Sequence, residues 1–254
     1  MTPAMTEVRF QPLSGGTRIA FRQCDGAGPV WVFLPGYMSD MSGSKATALF
    51  ERAQAAGRAC LLLDYSGCGM SDGAFADGTL TKWRDEVLAL IAARTSGPVV
   101  LVGSSMGGWL MLLVALAIPE RVVGLVGIAA APDFTEWGFS AAEKAGIAAT
   151  GRFVRPLSPT YEGEPMSTSR AFWRSGQASL LLAAPIPLDC PVRLIHGQQD
   201  NDVPWETSLR LAAALRSRQV QVTLVKDGDH RLSRDADIAL LLRTVETMRD
   251  GLVP

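Results

Sequence analysis

The sequence predicts an α/β fold built on a mostly parallel, doubly wound sheet, and three observations carry that prediction. Aliphatic, β-branched runs at residues 30–34, 59–63, 99–102, 122–128, 192–195 and 219–225 alternate with amphipathic stretches of helical period, the pattern of parallel strands joined by crossover helices. Two shorter runs, 8–10 and 18–22, add β structure at the start. The third observation is a charge-free stretch from Pro98 to Pro119, long enough to cross a bilayer. Gly103, Ser104, Ser105, Gly107 and Gly108 interrupt its middle, so it reads as a buried strand followed by a buried helix, with no membrane span. At 254 residues and 48% hydrophobic composition, the chain fills one domain over 1–254 with a sizeable core.

Sites on such a sheet lie along the carboxyl ends of the strands, so the residues after each run matter most. After 30–34 comes Pro35-Gly36-Tyr37, a turn. After 99–102 comes Gly103-Ser104-Ser105-Met106-Gly107 and then a helical apolar run. Strand, GxSxG, helix is the pattern of a nucleophile elbow: a sharp turn strains the serine backbone, and glycines on either side let strand and helix approach. Ser105 is therefore the candidate nucleophile. After 122–128 comes Asp133; after 192–195 comes His196-Gly197-Gln198-Gln199-Asp200-Asn201-Asp202-Val203-Pro204; after 219–225 comes Asp229-His230-Arg231.

An elbow serine needs a base and an orienting acid, which follow it in the order Ser, acid, His. The chain holds two histidines. His196 precedes both nearby acids and has the wrong order; His230, on a loop between a strand and a helix starting near Ser233, has the right one. The acid is Asp200, Asp202 or Asp133, and chemistry alone does not separate the three. Asp202, ahead of Val203-Pro204, also suits the neighbourhood of a helix N-cap. The negative charge of a tetrahedral intermediate needs two backbone N–H donors, and their expected sources are Met106, next after the nucleophile, and Tyr37, in the turn after 30–34.

Composition excludes several classes. A formal net charge of -1 with dispersed basic residues points away from nucleic acid and anionic membranes. Cys24, Cys60, Cys68 and Cys190 show neither CxxC spacing nor disulfide-scaffold density and read as reduced, structural thiols. Neither histidine sits in a metal-ligand motif, so no metal and no cofactor is expected. The N-terminus lacks an apolar h-region and an Arg-rich transit pattern, and the expected compartment is the cytoplasm. Between about 132 and 187 the alternation lapses, and Phe134, Trp137, Phe139, Phe153, Tyr161, Phe172 and Trp173 stand among Gly, Pro and Ser. An insertion here lies over the nucleophile. We read it as a lid whose aromatics, Phe134, Trp137 and Trp173 foremost, line an acyl pocket or fill the lid's own small core.

With these residues in place, the chain resembles the α/β-hydrolase superfamily throughout, and within it the palmitoyl-protein thioesterase and acyl-glucuronide esterase group of animal mitochondria. The resemblance is carried by residues 33–36, Gly43-Ser44-Lys45-Ala46, Asp64-Tyr65-Ser66-Gly67, Ser71-Asp72-Gly73, the stretch 103–111, Pro204-Trp205 and Asp229-His230-Arg231. It implies the α/β-hydrolase fold with an inserted lid and a cytosolic bacterial counterpart of that group. It also implies Asp200 as the triad acid, from the HGxxDxxVP pattern of its loop. The implied substrate is a small-molecule ester or thioester, or an acylated protein, cleaved through an acyl-enzyme. A C–C hydrolase or perhydrolase using the same triad, or a non-catalytic binding protein on the same fold, are the alternatives. The lid region matches the group poorly.

Overall fold

The central strand of the sheet shows why the sequence folds as it does. β5 (Val99–Ser104) is buried at every residue, between β3 (Ala27–Leu34) and β6 (Val122–Ile128), and both of its faces are covered. A strand covered on both sides has no solvent face to mark with polar residues, hence its unbroken apolar run. The coordinates are a computed structural model and describe residues 7–155 and 166–248.

The eight-stranded sheet has the order β1 (Arg9–Pro12), β2 (Arg18–Cys24), β4 (Arg58–Leu63), β3, β5, β6, β9 (Val192–Gly197), β10 (Val220–Val225). β2 runs antiparallel to β1 and β4; every pairing from β4 to β10 is parallel. Successive residues of the parallel strands enter two different cores. Val32, Leu34, Leu61, Leu63, Val99 and Leu101 pack under α2 (Leu80–Arg94), α3 (Met106–Ala117) and α7 (Glu206–Ala214). Trp31, Phe33, Cys60, Leu62, Val100 and Val102 pack under α1 (Ser44–Ala55) and α8 (Asp235–Glu246). Each fully buried Leu or Val in these layers contributes about 1.5–3 kcal/mol by transfer.

α3 is buried from Met106 to Ala115, so a helix apolar all round is explained by its position inside the protein. Among the described residues no helix is long and apolar enough to cross a membrane. The four cysteines are free thiols.

Between β6 and β9 the chain forms α4 (Phe134–Trp137), α5 (Ala141–Thr150), an antiparallel pair β7 (Arg152–Arg155) and β8 (Met166–Ser169), and α6 (Arg170–Gln177). Among its described residues this stretch gives no strand to the main sheet. The β7–β8 pair was not legible in the sequence, because Arg-Phe-Val-Arg and Met-Ser-Thr-Ser are too short and too polar for a period-two pattern. α5 begins with a capping box, Ser140 accepting from the Glu143 amide and Glu143 from the Ser140 amide. Tyr161, among the aromatics singled out in the sequence, lies outside the described residues.

Candidate active site

Ser105 connects the last residue of β5 to the first of α3 with φ 54° and ψ −120°, a conformation that costs a non-glycine residue free energy and persists because its surroundings fix it. Its amide donates to the Ile128 carbonyl at 2.9 Å, and its carbonyl accepts from Gly108 and Ala131 at 2.9 and 3.0 Å. The flanking glycines are required sterically. A Cβ on Gly103 would lie 2.4 Å from the Gly107 carbonyl oxygen, and one on Gly107 would lie 2.0 Å from the Leu34 oxygen. The Ser105 hydroxyl caps no helix amide, which leaves it free for another partner.

That partner is His230, whose Nε2 lies 3.1 Å from Ser105 Oγ. On the other side of the ring, Nδ1 lies 2.7 Å from Asp200 Oδ2. The loops bearing Asp200 and His230 are joined through their backbones: the Gln199 amide donates to the Gly228 carbonyl at 2.8 Å, and a Cβ on Gly197 would collide with that carbonyl. The turn after the base is tight, with Leu232 at φ 44° and its amide donating to Asp229 Oδ1 at 2.9 Å. Lys45, at the start of α1, donates from Nζ to the Arg231 carbonyl and so holds the His230 loop from outside. Burial pushes the Lys45 ammonium below its ordinary pKa.

The Asp200 carboxylate is fully covered. Burial by itself raises its pKa, but hydrogen bonds from His196 and His230, the charge interaction with His230 and the Val203 amide outweigh this and hold it well below the usual carboxylate range. Oδ1 accepts from the amides of Asp202 and Val203 at 2.9 and 2.8 Å. The donor atoms of Asp200, Asp202 and His230 lie within 4.8 Å of one another. Both Asp200 oxygens and both His230 nitrogens take part in hydrogen bonds.

Among the described residues neither of the other acids hydrogen-bonds to His230, although the Asp202 carboxylate lies within 4.8 Å of it. Asp202 is exposed and its own amide is tied to Asp200. The expected N-cap neighbourhood is corrected: α7 starts at Glu206 behind Trp205, with no side-chain cap, because Pro204-Trp205 turns the chain before the helix begins. Asp133, at φ 60°, accepts from the amides of Leu181 and Leu182 at 2.8 Å each and ties the two ends of the inserted segment together.

The turn after β3 lies against the elbow. A Cβ on Gly36 would sit 3.4 Å from Ser105 Cβ, in ordinary contact. The Pro35 carbonyl accepts from the Tyr65 hydroxyl at 3.0 Å, and Met41, at the far end of the loop, donates its amide to Asp64 Oδ1 at 2.7 Å. Met106 is the first residue of α3, where an amide has no intrahelical acceptor. Cys68, on the neighbouring loop, is buried and burial pushes its thiol up to about 12, which keeps it protonated.

The aromatics form a continuous set. The Tyr37 ring lies 4.9 Å from Phe172, 5.0 Å from Phe75 and 5.9 Å from Phe134, and Phe134 in turn meets Trp109 of α3 at 5.7 Å. Phe172 is core, at 1% exposure. Trp137 and Trp173 are half-buried and donate their indole N–H to the Pro132 and Thr135 carbonyls at 2.8 and 3.1 Å. The sequence reading missed the Tyr37 ring, Lys45 and His196. Only His196 had a usable signal, the His-x-x-x-Asp spacing that brings it within one loop of Asp200.

Comparison with known proteins places this geometry among relatives. The model of the alpha/beta hydrolase family matches residues 31–241. The human mitochondrial palmitoyl-protein thioesterase ABHD10 is 41% identical over 237 residues, covering 92% of this chain and 77% of the human protein. The structure of mouse alpha/beta hydrolase domain-containing protein 10 superposes with a TM-score of 0.89 at 39% identity, over 96% of this chain and 98% of that one. A protein of Agrobacterium vitis S4 described as a hydrolase gives a TM-score of 0.89 at 36% identity, over 96% of this chain and all of that one.

Proposed function

Because the chain belongs to the alpha/beta hydrolase family, we propose that it cleaves carboxylic esters or thioesters through a covalent acyl-enzyme on Ser105. The observation that carries this reading is the run of contacts from Asp200 Oδ2 through the His230 ring to Ser105 Oγ, at 2.7 and 3.1 Å. Ser105 Oγ attacks the carbonyl carbon while His230 Nε2 takes its proton, and Asp200 stabilises the imidazolium. The oxyanion so formed is held by the N–H groups of Tyr37 and Met106. Collapse expels the alcohol or thiol, which takes the proton from His230. Water then gives a proton to the same nitrogen and attacks the acyl carbon, releasing the acid and restoring the serine.

Support for the thioester side comes from the names of the relatives at about 41% identity. The inserted segment is the proposed lid, with Phe134, Trp137 and Trp173 in an apolar acyl pocket. Support for that placement is the ring contact of Phe134 with Tyr37, whose turn lies over the elbow. The human relative is mitochondrial by name, and cytoplasmic residence of this chain is part of the proposal.

The test pairs labelling by a fluorophosphonate probe with turnover of acyl thioesters and p-nitrophenyl esters of graded chain length. Wild type reacts, and Ser105→Ala loses both labelling and turnover with its circular dichroism unchanged. Each methylene taken into the pocket raises kcat/KM by up to roughly fourfold, from about 0.8 kcal/mol of transfer free energy. Labelling that persists in Ser105→Ala sinks the nucleophile. A preference for acetyl substrates sinks the pocket.

A further inference from the structure

Asp200 Oδ2 accepts from two imidazoles. Besides His230 Nδ1 at 2.7 Å, it lies 3.1 Å from His196 Nε2. His196 is the last residue but one of β9 and is fully buried. The same Nε2 lies 3.1 Å from the Val203 carbonyl oxygen, and Nδ1 lies 2.7 Å from Ser208 Oγ on α7.

These contacts define the proton positions on the His196 ring. Nε2 faces a carboxylate and a carbonyl, two acceptors with no hydrogen of their own, so Nε2 carries the proton and donates. In the neutral ring Nδ1 then accepts from the Ser208 hydroxyl, which among the described residues has no other hydrogen-bond partner and fixes the tautomer. The donation falls on the oxygen that holds His230, so it withdraws charge from that oxygen and fixes its place.

We infer that His196, with its tautomer fixed by Ser208, is a positioning residue: it donates to the shared oxygen of Asp200 and thereby tunes how strongly Asp200 holds the His230 imidazole. The inference deepens the proposed function and rests on the roles assigned there to Ser105, Asp200 and His230. Without the second donor, the full charge of Oδ2 bears on His230, favours the imidazolium and makes it a poorer proton donor to the leaving group. The other charged groups nearby are Asp202, whose carboxylate lies within 4.8 Å of this pair, and Asp229 and Arg231, the sequence neighbours of His230, which together with Asp237 of α8 act on Lys45 of α1. All are kept in the variants below.

The chain's two histidines make the test direct, since each imidazole gives its own resonances and one substitution assigns both. The ¹⁵N titration of His230 is followed in the resting protein for wild type, His196→Leu, His196→Gln and Ser208→Ala. In parallel, kcat and KM for a p-nitrophenyl ester are measured per fluorophosphonate-reactive site. His196→Leu moves the His230 midpoint up by about half a pH unit and lowers kcat by up to about threefold, with KM unchanged. His196→Gln, which keeps an uncharged N–H, recovers most of both. Ser208→Ala removes one oxygen, releases the tautomer and moves both quantities the same way by less. An unchanged His230 midpoint in His196→Leu overturns the inference, and so does an unchanged midpoint in Ser208→Ala if the leucine variant does not fold. Failure of the proposed function is seen separately, as a wild-type Ser105 that takes no label, and the titration arms do not depend on it.

Discussion

The Tyr37 hydroxyl donates to the Ser167 carbonyl at 2.8 Å, joining the turn after β3 to the inserted strand β8 across 130 residues of sequence. Burial pushes this phenol up to about 12, so it stays a donor at any working pH. Tyr37→Phe keeps the ring contacts and removes only the hydrogen bond. Its expected cost is about 1 kcal/mol, read as a lower urea midpoint at unchanged m-value.

Of the two acids in the β9 loop, only Asp200 touches His230. Asp200→Asn turns an acceptor into an amide that can leave the ring in the wrong tautomer, and turnover falls by about 10³ to 10⁴. Asp202→Asn changes an exposed side chain, and the loss is roughly tenfold or less. Steady-state kinetics of the two variants at one pH decides between them, and a reversed order would move the acid to Asp202.

The pH profile follows from the depressed pKa of Asp200. A carboxyl whose folded-state pKa is below its unfolded value of about 3.9 contributes stability that is present above that value and lost as pH falls through the folded-state pKa. Asp200 therefore stays ionised through the ordinary carboxylate range. It adds no protonation of its own to the acid side of the activity profile above about pH 4. A plot of log kcat/KM against pH has a limiting slope of about one above pH 4; a slope of two would show Asp200 titrating as well.

Asp133 separates a structural acid from a catalytic one. Asp133→Asn exchanges two charge-assisted bonds to Leu181 and Leu182 for one neutral bond and costs about 1–3 kcal/mol. The rate of probe labelling per folded molecule is unchanged. Calorimetry and labelling kinetics on the same sample check both halves, and a collapse of labelling in folded protein would return Asp133 to the list of acids.

These cases also show what a sequence can carry. The main-sheet strands were legible because a strand buried on both faces has to be apolar, and the elbow because its glycines answer to backbone collisions that other residues cannot avoid. The order Ser, acid, His singles out His230, whose Nε2 lies 3.1 Å from Ser105 Oγ. The same ordering rule set His196 aside, since it asks which imidazole reaches the serine and says nothing of one that reaches the acid. Asp133 and Tyr37 were read as a candidate acid and a backbone donor, respectively. The hydrogen-bond partners of their side chains lie 48 or more positions away, in a segment without periodicity, so nothing local announced them.

Gly107 has a wider consequence. The atoms that a side chain there would strike are the backbone oxygens of Leu34 and Pro35, which no repacking of neighbours can remove. The spacing between the start of α3 and the turn bearing Tyr37 is thus set by the thickness of two peptide chains in contact, a dimension that does not vary with the rest of the sequence. Substrate preference can drift through the inserted segment, where partners are side chains and can be exchanged. The gauge between the proposed nucleophile and the proposed anion donors cannot, so diversification of this scaffold is channelled away from the reaction and into the choice of what reacts.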